Sequence, residues 1–151
     1  MIYKLLGRTH AFTGLFVGLL VISQVQTSLL DSFILVLLTM FGSLFPDIDS
    51  PKSILGRYVK PIGWIFKHRG LLHSVLPLAA IYFLVNHFFG FNYAFAFAAG
   101  FISHILLDII TREGLHIFPL GLHIRGPVRV GGFLEYSFLF IQLFFLVALF
   151  Y

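Results

Sequence analysis

Imidazoles and carboxylates recur in three short patterns along this chain of 151 residues. His104 and Asp108 stand in SHILLD, Asp47 and Asp49 in PDID, and His68 and His73 in HRGLLHS, while His10 and Glu135 each head an apolar run. On a helix, His104 and Asp108 at i and i+4 share a face with Cβ atoms about 6 Å apart, within reach of one cation. Asp47 and Asp49, two apart after Pro46, would point the same way along an extended stretch. His68 and His73 share no helical face, but Gly70 lets the chain turn between them. Cysteine is absent, so no thiolate can contribute. Imidazole plus carboxylate suits Zn, Mn or Fe, and four or more such ligands in one plane can hold two ions.

Apolar helices must position these groups. The chain is 59% hydrophobic and 11% charged, with a mean hydropathy of +0.98, whereas soluble domains run near 45–50% apolar and about 25% charged. This is the composition of an integral membrane protein, and it excludes disorder, a collagen repeat and a disulfide scaffold. A crossing helix needs about 20 apolar residues. Candidate spans fall at 9–26, 30–45, 71–91, 93–110 and 133–151, separated by polar segments at 46–70 and 111–132. The expected fold is all-α: a polytopic membrane helical bundle of about five spans, forming one domain over residues 1–151.

Alternation of five spans puts the amino terminus and both long polar segments on one side, together with Lys4, Arg8, Lys52, Arg57, Lys60, Lys67, Arg69, Arg112, Arg125 and Arg129. The positive-inside rule makes that side cytoplasmic. The first span has no small-residue cleavage pattern and reads as a mature helix. The net charge of +4 then has a topogenic origin, and no stable nucleic-acid partner is expected; the partner is the lipid bilayer.

Under this topology His10, Asp47, Asp49, His68, His73, His104, Asp108 and Glu135 all project to the cytoplasmic ends of their helices as one polar rim. Ionisable groups cost about 2.5–3.5 kcal/mol each at a span centre, so they are retained there for function. Singly, each has a structural use, such as capping for Asp47 and Asp49. Independent structural uses give no reason for all of them to share one depth, and their coincidence predicts a metal site. His87 is expected near the opposite face. His116 and His123 fall in a loop containing Gly and Pro, and Tyr58 and Trp64 look like interface anchors.

His10, PDIDSPKSILGR from Pro46 to Arg57, HRGLLHS from His68 to Ser74, SHILLD from Ser103 to Asp108, and the following Thr111, Gly114 and Pro119 resemble, in order and spacing, the YdjM-type family of inner-membrane proteins regarded as metal-dependent hydrolases. Leu72 stands where that family more often has Thr, and Glu135 resembles a recurrent position. The family is thought to be distantly similar to zinc-dependent phospholipase C and single-strand nucleases. The resemblance implies that Asp47 or Asp49, one of His68 and His73, His104 and Asp108 bind metal, with His10 facing a further ion. It also implies that one to three divalent ions are held, zinc first, with Mn or Fe as alternatives.

The expected activity is hydrolysis of an ester or phosphoester, in a lipid or lipid-linked substrate at headgroup level. A bound cation would lower the pKa of water from about 15.7 toward 7. Asp49 would aim the water, Glu135 is a further catalytic candidate, and Arg69 or a second ion would stabilise developing negative charge. The alternative is a small transporter or proton relay using the same His/Asp cluster, which calls for ionisable groups spread through the bilayer depth. A bis-histidine haem site would leave the carboxylates unexplained, and a scaffold with a structural metal would differ only in lacking activity. The substrate and the oligomeric state are not encoded legibly.

Overall fold

The structure, a computed structural model, describes residues 2–59, 61, 70–117 and 121–150. Among these, five α-helices follow one another: α1 (Ile2–Ser23), α2 (Leu29–Leu44), α3 (Val75–Phe89), α4 (Phe91–Ile110) and α5 (Phe133–Phe150). Each overlaps one of the five expected apolar segments. The third helix starts at Val75 rather than Leu71, because Leu71–His73 first closes a 3-10 turn. Ser74 then caps α3, its hydroxyl accepting from the Leu76 amide at 3.3 Å. Gly90, at φ 93°, breaks the apolar run into α3 and α4 by a backbone conformation that side chains with a Cβ disfavour.

One element departs from the all-α expectation. Strands β1 (Leu115–Ile117) and β2 (Leu122–Ile124) pair antiparallel with His116 opposite His123. The Leu-His-Ile alternation that supports both is only three residues long, too short for periodicity to reveal.

Helix α4, at 20 residues, is the described helix long and apolar enough to cross a membrane. The apolar helical segments Gly7–Ser23, Leu29–Leu44, Val75–Phe89 and Phe133–Ala148 are shorter. Helices α1, α2 and α4 pack on one another, with α3 laid on α4 and α5 on α1. Small residues permit the close approach: a Cβ on Gly100 would strike the Thr39 carbonyl, and one on Gly42 the Phe97 carbonyl. Backbones of α2 and α4 therefore touch, as in membrane helix pairs held by dispersion contacts.

The polarity of the bundle is inverted relative to a soluble protein. Thr9, Thr13, Ser43, Ser103 and Gln142 are buried, whereas Phe83, Phe88, Phe140 and Phe144 are exposed. No described residue of α3 is buried. An apolar surface this continuous is stable against lipid and prone to aggregate in water.

Candidate metal centre

Four elements deliver the polar cluster. Helix α1 brings His10, the 3-10 turn Pro46–Asp49 brings Asp47 and Asp49, the turn Leu71–His73 brings His73, and the last turns of α4 bring His104 and Asp108. All six are buried, His104 and Asp108 completely.

Local chemistry fixes the acidic turn. Pro46 starts it, where a missing N–H costs nothing. The Ser53 hydroxyl donates to the Asp47 carbonyl at 2.7 Å and accepts from the Gly56 amide at 2.8 Å. The chain after Asp49 thus folds back under the turn, and a Cβ on Gly56 would collide with the Ser50 carbonyl. Because the turn is 3-10 rather than extended, Asp47 and Asp49 do not point the same way. They approach opposite nitrogens of the His73 ring: Asp47 Oδ1 lies 3.6 Å from Nε2 and Asp49 Oδ2 3.5 Å from Nδ1.

His104 is held by the main chain. Its Nδ1 donates to the Ser43 carbonyl at 2.7 Å, so in the neutral ring Nε2 carries the lone pair. That nitrogen faces Asp47 Oδ1 at 3.8 Å and Asp108 Oδ2 at 3.7 Å, and it has no hydrogen-bond partner among the described residues. His73 Nε2 lies 3.7 Å from the same Asp108 oxygen, and His10 Nε2 lies 3.5 Å from the other, Oδ1. The rings of His10 and His104 stack at 3.9 Å between centroids.

Acceptor lone pairs directed at one another repel unless a cation lies between them. Two sets of ligand atoms lie close enough to hold one: His10, His104 and Asp108, and Asp47, His73 and His104, each set within 4.8 Å. Around His104 Nε2 the separations of 3.7–3.8 Å are too long for hydrogen bonds. They approach the edge of about 3.4 Å expected for a tetrahedron with bonds of 2.0–2.1 Å, the zinc geometry. The donor set therefore fits a divalent metal. Asp49 on His73 Nδ1 and the Ser43 carbonyl on His104 Nδ1 are the outer partners that orient metal-binding imidazoles.

The same carboxylates set the charge of His73, which precedes α3. Burial opposes a charged imidazole, but the hydrogen-bonding carboxylates of Asp47 and Asp49 and the charge of Asp108 prevail, raising its pKa from 6.5 to about 9. Burial likewise works against the Asp47 carboxylate, yet the surrounding His104, His73 and His10 rings hold its pKa well below the ordinary value.

Glu135 stands apart. Its Oε1 accepts from the Thr9 hydroxyl and its Oε2 from the Gly131 amide at 2.5 Å. It faces a cavity of about 210 Å³ that His10 also borders, so it neighbours the cluster through α1 without joining either ligand set. His68 and Arg69 lie outside the described residues. His116 and His123 stack at 4.2 Å on the exposed hairpin and belong to neither ligand set. Sequence reasoning missed Thr9 and Ser43. Thr9 meets Glu135 across 126 positions, and Ser43 acts on His104 through its carbonyl, which carries no residue signature.

A family model described as YdjM inner membrane protein matches residues 5–150. Inner membrane protein YdjM of Escherichia coli (strain K12) is 38% identical over 98 residues, covering 58% of this chain and 50% of that protein. The YdjM protein of Shigella flexneri matches with the same figures. Uncharacterized protein YvsG of Bacillus subtilis (strain 168) is 30% identical over 102 residues, 62% of this chain and 64% of that one. The chain thus spans about half the length of the YdjM proteins it matches. No solved structure matches.

Proposed function

The chain belongs to the YdjM inner membrane protein family, and on that premise we propose that it is a metal-dependent hydrolase embedded in the bilayer. Its substrate is an ester or phosphoester of a lipid or lipid-linked molecule at the level of the cytoplasmic headgroups. All five helices cross the membrane, with the amino terminus inside. The apolar outer faces of α2, α3 and α5 support this topology, as does the placement of all ten Lys and Arg residues on one side of the alternation.

The observation that carries the hydrolase reading is the buried convergence of His104 Nε2, turned by the Ser43 carbonyl, on Asp47 and Asp108. Asp47, His73 and His104 would hold one ion, and Asp108 and His10 would serve an adjacent one, with zinc the best match to the spacing. A divalent ion bound there supplies water acidified toward neutral pH and a centre of positive charge for the scissile bond. Asp49 fixes the His73 ring. Glu135, held by Thr9 and the Gly131 amide, is placed to take up a proton at the cavity beside His10. Arg69 is assigned the developing negative charge by its sequence proximity to His73. The ionisable side chains of the cluster gather at one end of the helices, an arrangement that suits chemistry at a headgroup better than a relay through the bilayer.

Elemental analysis of the purified protein tests this reading directly. At least one divalent ion per chain is expected, with cleavage of a phosphoester or carboxylic ester that His104→Ala abolishes. Less than one ion per chain, with no change in His104→Ala, would overturn it.

A further inference from the structure

Beside the candidate metal centre, the cavity bordered by His10, Thr9 and Glu135 adjoins a larger one of about 670 Å³. Leu107, Ile110 and Phe138 border both cavities. On α1 the combined wall runs through Thr9, Thr13, Phe16, Val17 and Leu20, a single helical face by its spacing. The polar groups along the wall of the larger cavity are satisfied within the protein. Thr13 and Gln142 hydrogen-bond each other at 3.2–3.3 Å, and the Ser103 hydroxyl donates to the Gly100 carbonyl at 2.7 Å. The groove therefore presents hydrocarbon. Leu106 and Phe145 on its rim are more than half exposed, so it opens sideways on the surface that faces lipid.

Its length selects an occupant. Thr9 to Leu20 is twelve residues, and the eleven steps between them make about 16 Å of helix, or half of the roughly 30 Å hydrocarbon thickness. The groove spans one leaflet, with ionisable groups at one end and apolar wall beyond. A transmembrane helix from a second copy runs the full hydrocarbon thickness of about 30 Å, about twice the groove's length, whereas one acyl chain occupies a single leaflet. A single alkyl chain fits.

We infer that the groove between α1, α4 and α5 binds one acyl chain of a phospholipid from the leaflet at the polar rim, seating that lipid's headgroup linkage beside His10 and Glu135. The inference rests on the hydrolase reading for its consequence, but chain binding is measurable without activity. Groove shape, rather than the metal ligands, then sets which substrates enter.

The test uses the full-length protein in nanodiscs and in mild detergent with dioleoyl phosphatidylglycerol. Native mass spectrometry should find one phospholipid retained per wild-type chain. Ile141→Trp, which fills the groove wall, should weaken retention about tenfold. Phe140→Trp on the lipid-facing side should leave it unchanged, and metal content should be equal in all three. Equal retention by wild type and Ile141→Trp overturns the inference. If Ile141→Trp fails to fold, wild type decides alone. Phosphatidylglycerol spin-labelled at the acyl end should show a restricted component that dioleoyl lipid displaces and dihexanoyl lipid does not, and absence of that component overturns the inference. Chain binding with no hydrolysis of any ester leaves the groove standing and defeats the hydrolase reading. Hydrolysis of water-soluble esters without chain binding does the reverse.

Discussion

His104 donates its Nδ1 proton to the Ser43 carbonyl at 2.7 Å, a bond from α4 to the end of α2 that turns Nε2 toward two carboxylates. The tautomer is set by backbone geometry, so it survives any side-chain change at position 43 that preserves the helix. His104→Ala removes the atom common to both ligand sets, and bound divalent metal should fall at least tenfold, read by elemental analysis after dialysis. Ser43→Ala, which keeps the carbonyl, should retain metal within about threefold. Loss in Ser43→Ala as large as in His104→Ala would show that the hydroxyl, not the carbonyl, matters.

Asp49 reaches the far nitrogen of His73 at 3.5 Å, the position of an outer partner. Outer carboxylates of this kind are worth about 10–100-fold in metal affinity. Asp49→Asn should therefore weaken binding by that range while leaving the stoichiometry at saturating metal unchanged. A drop in stoichiometry, measured by titration with a competing chelator, would make Asp49 a direct ligand.

The raised pKa of His73 has opposite consequences for the metal-free and metal-bound protein. A folded-state value of about 9 against 6.5 unfolded means that its contribution to metal-free stability is complete below about pH 6.5 and is lost as pH rises through about 9. Metal binding must displace that proton, so affinity should tighten about tenfold per pH unit up to about pH 9 and then level off. Thermal unfolding with and without zinc across this interval checks both signs. His73→Gln should flatten the two trends together.

Much of this centre is legible in the residues because local spacing dictates it. His104 and Asp108 share a face for the reason that any i, i+4 pair does, and the apolar segments fix five helices in order. What is not legible depends on conformation that the spacing underdetermines. Asp47 and Asp49 look alike two residues apart, but the 3-10 turn sends them to opposite sides of one imidazole. Glu135 shares the expected depth of the ligands, and Thr9 and the Gly131 amide hold it in a neighbouring cavity that its position in the sequence does not reveal. The hairpin escaped because three-residue strands leave no periodic trace.

Contact of α2 with α4 depends on Gly100, since a Cβ there meets the Thr39 carbonyl, which belongs to the backbone and cannot swing away. Gly100→Ala should force the helices apart at a cost of about 1–3 kcal/mol. It should also shift His104, one turn along α4, away from Ser43 and the Asp47 turn. The expected result is a lower thermal midpoint together with weakened metal binding in the same variant. An unchanged midpoint would mean that the two helices can separate freely.

The proposed five-span topology makes a prediction that the composition itself renders easy to test. The chain contains no cysteine, so single cysteines introduced one at a time report accessibility without background. Asn86, at the end of α3, and His116, on the hairpin beyond α4, are separated by one helix long enough to cross. His116→Cys should react with a membrane-impermeant maleimide only from the cytoplasmic side, and Asn86→Cys only from the opposite side. Both positions labelling from one side would mean that α4 does not cross. Reversed labelling would preserve the crossing and invert the orientation, moving the metal centre to the outer face. That outcome would change which leaflet supplies the substrate while leaving the ligand geometry intact.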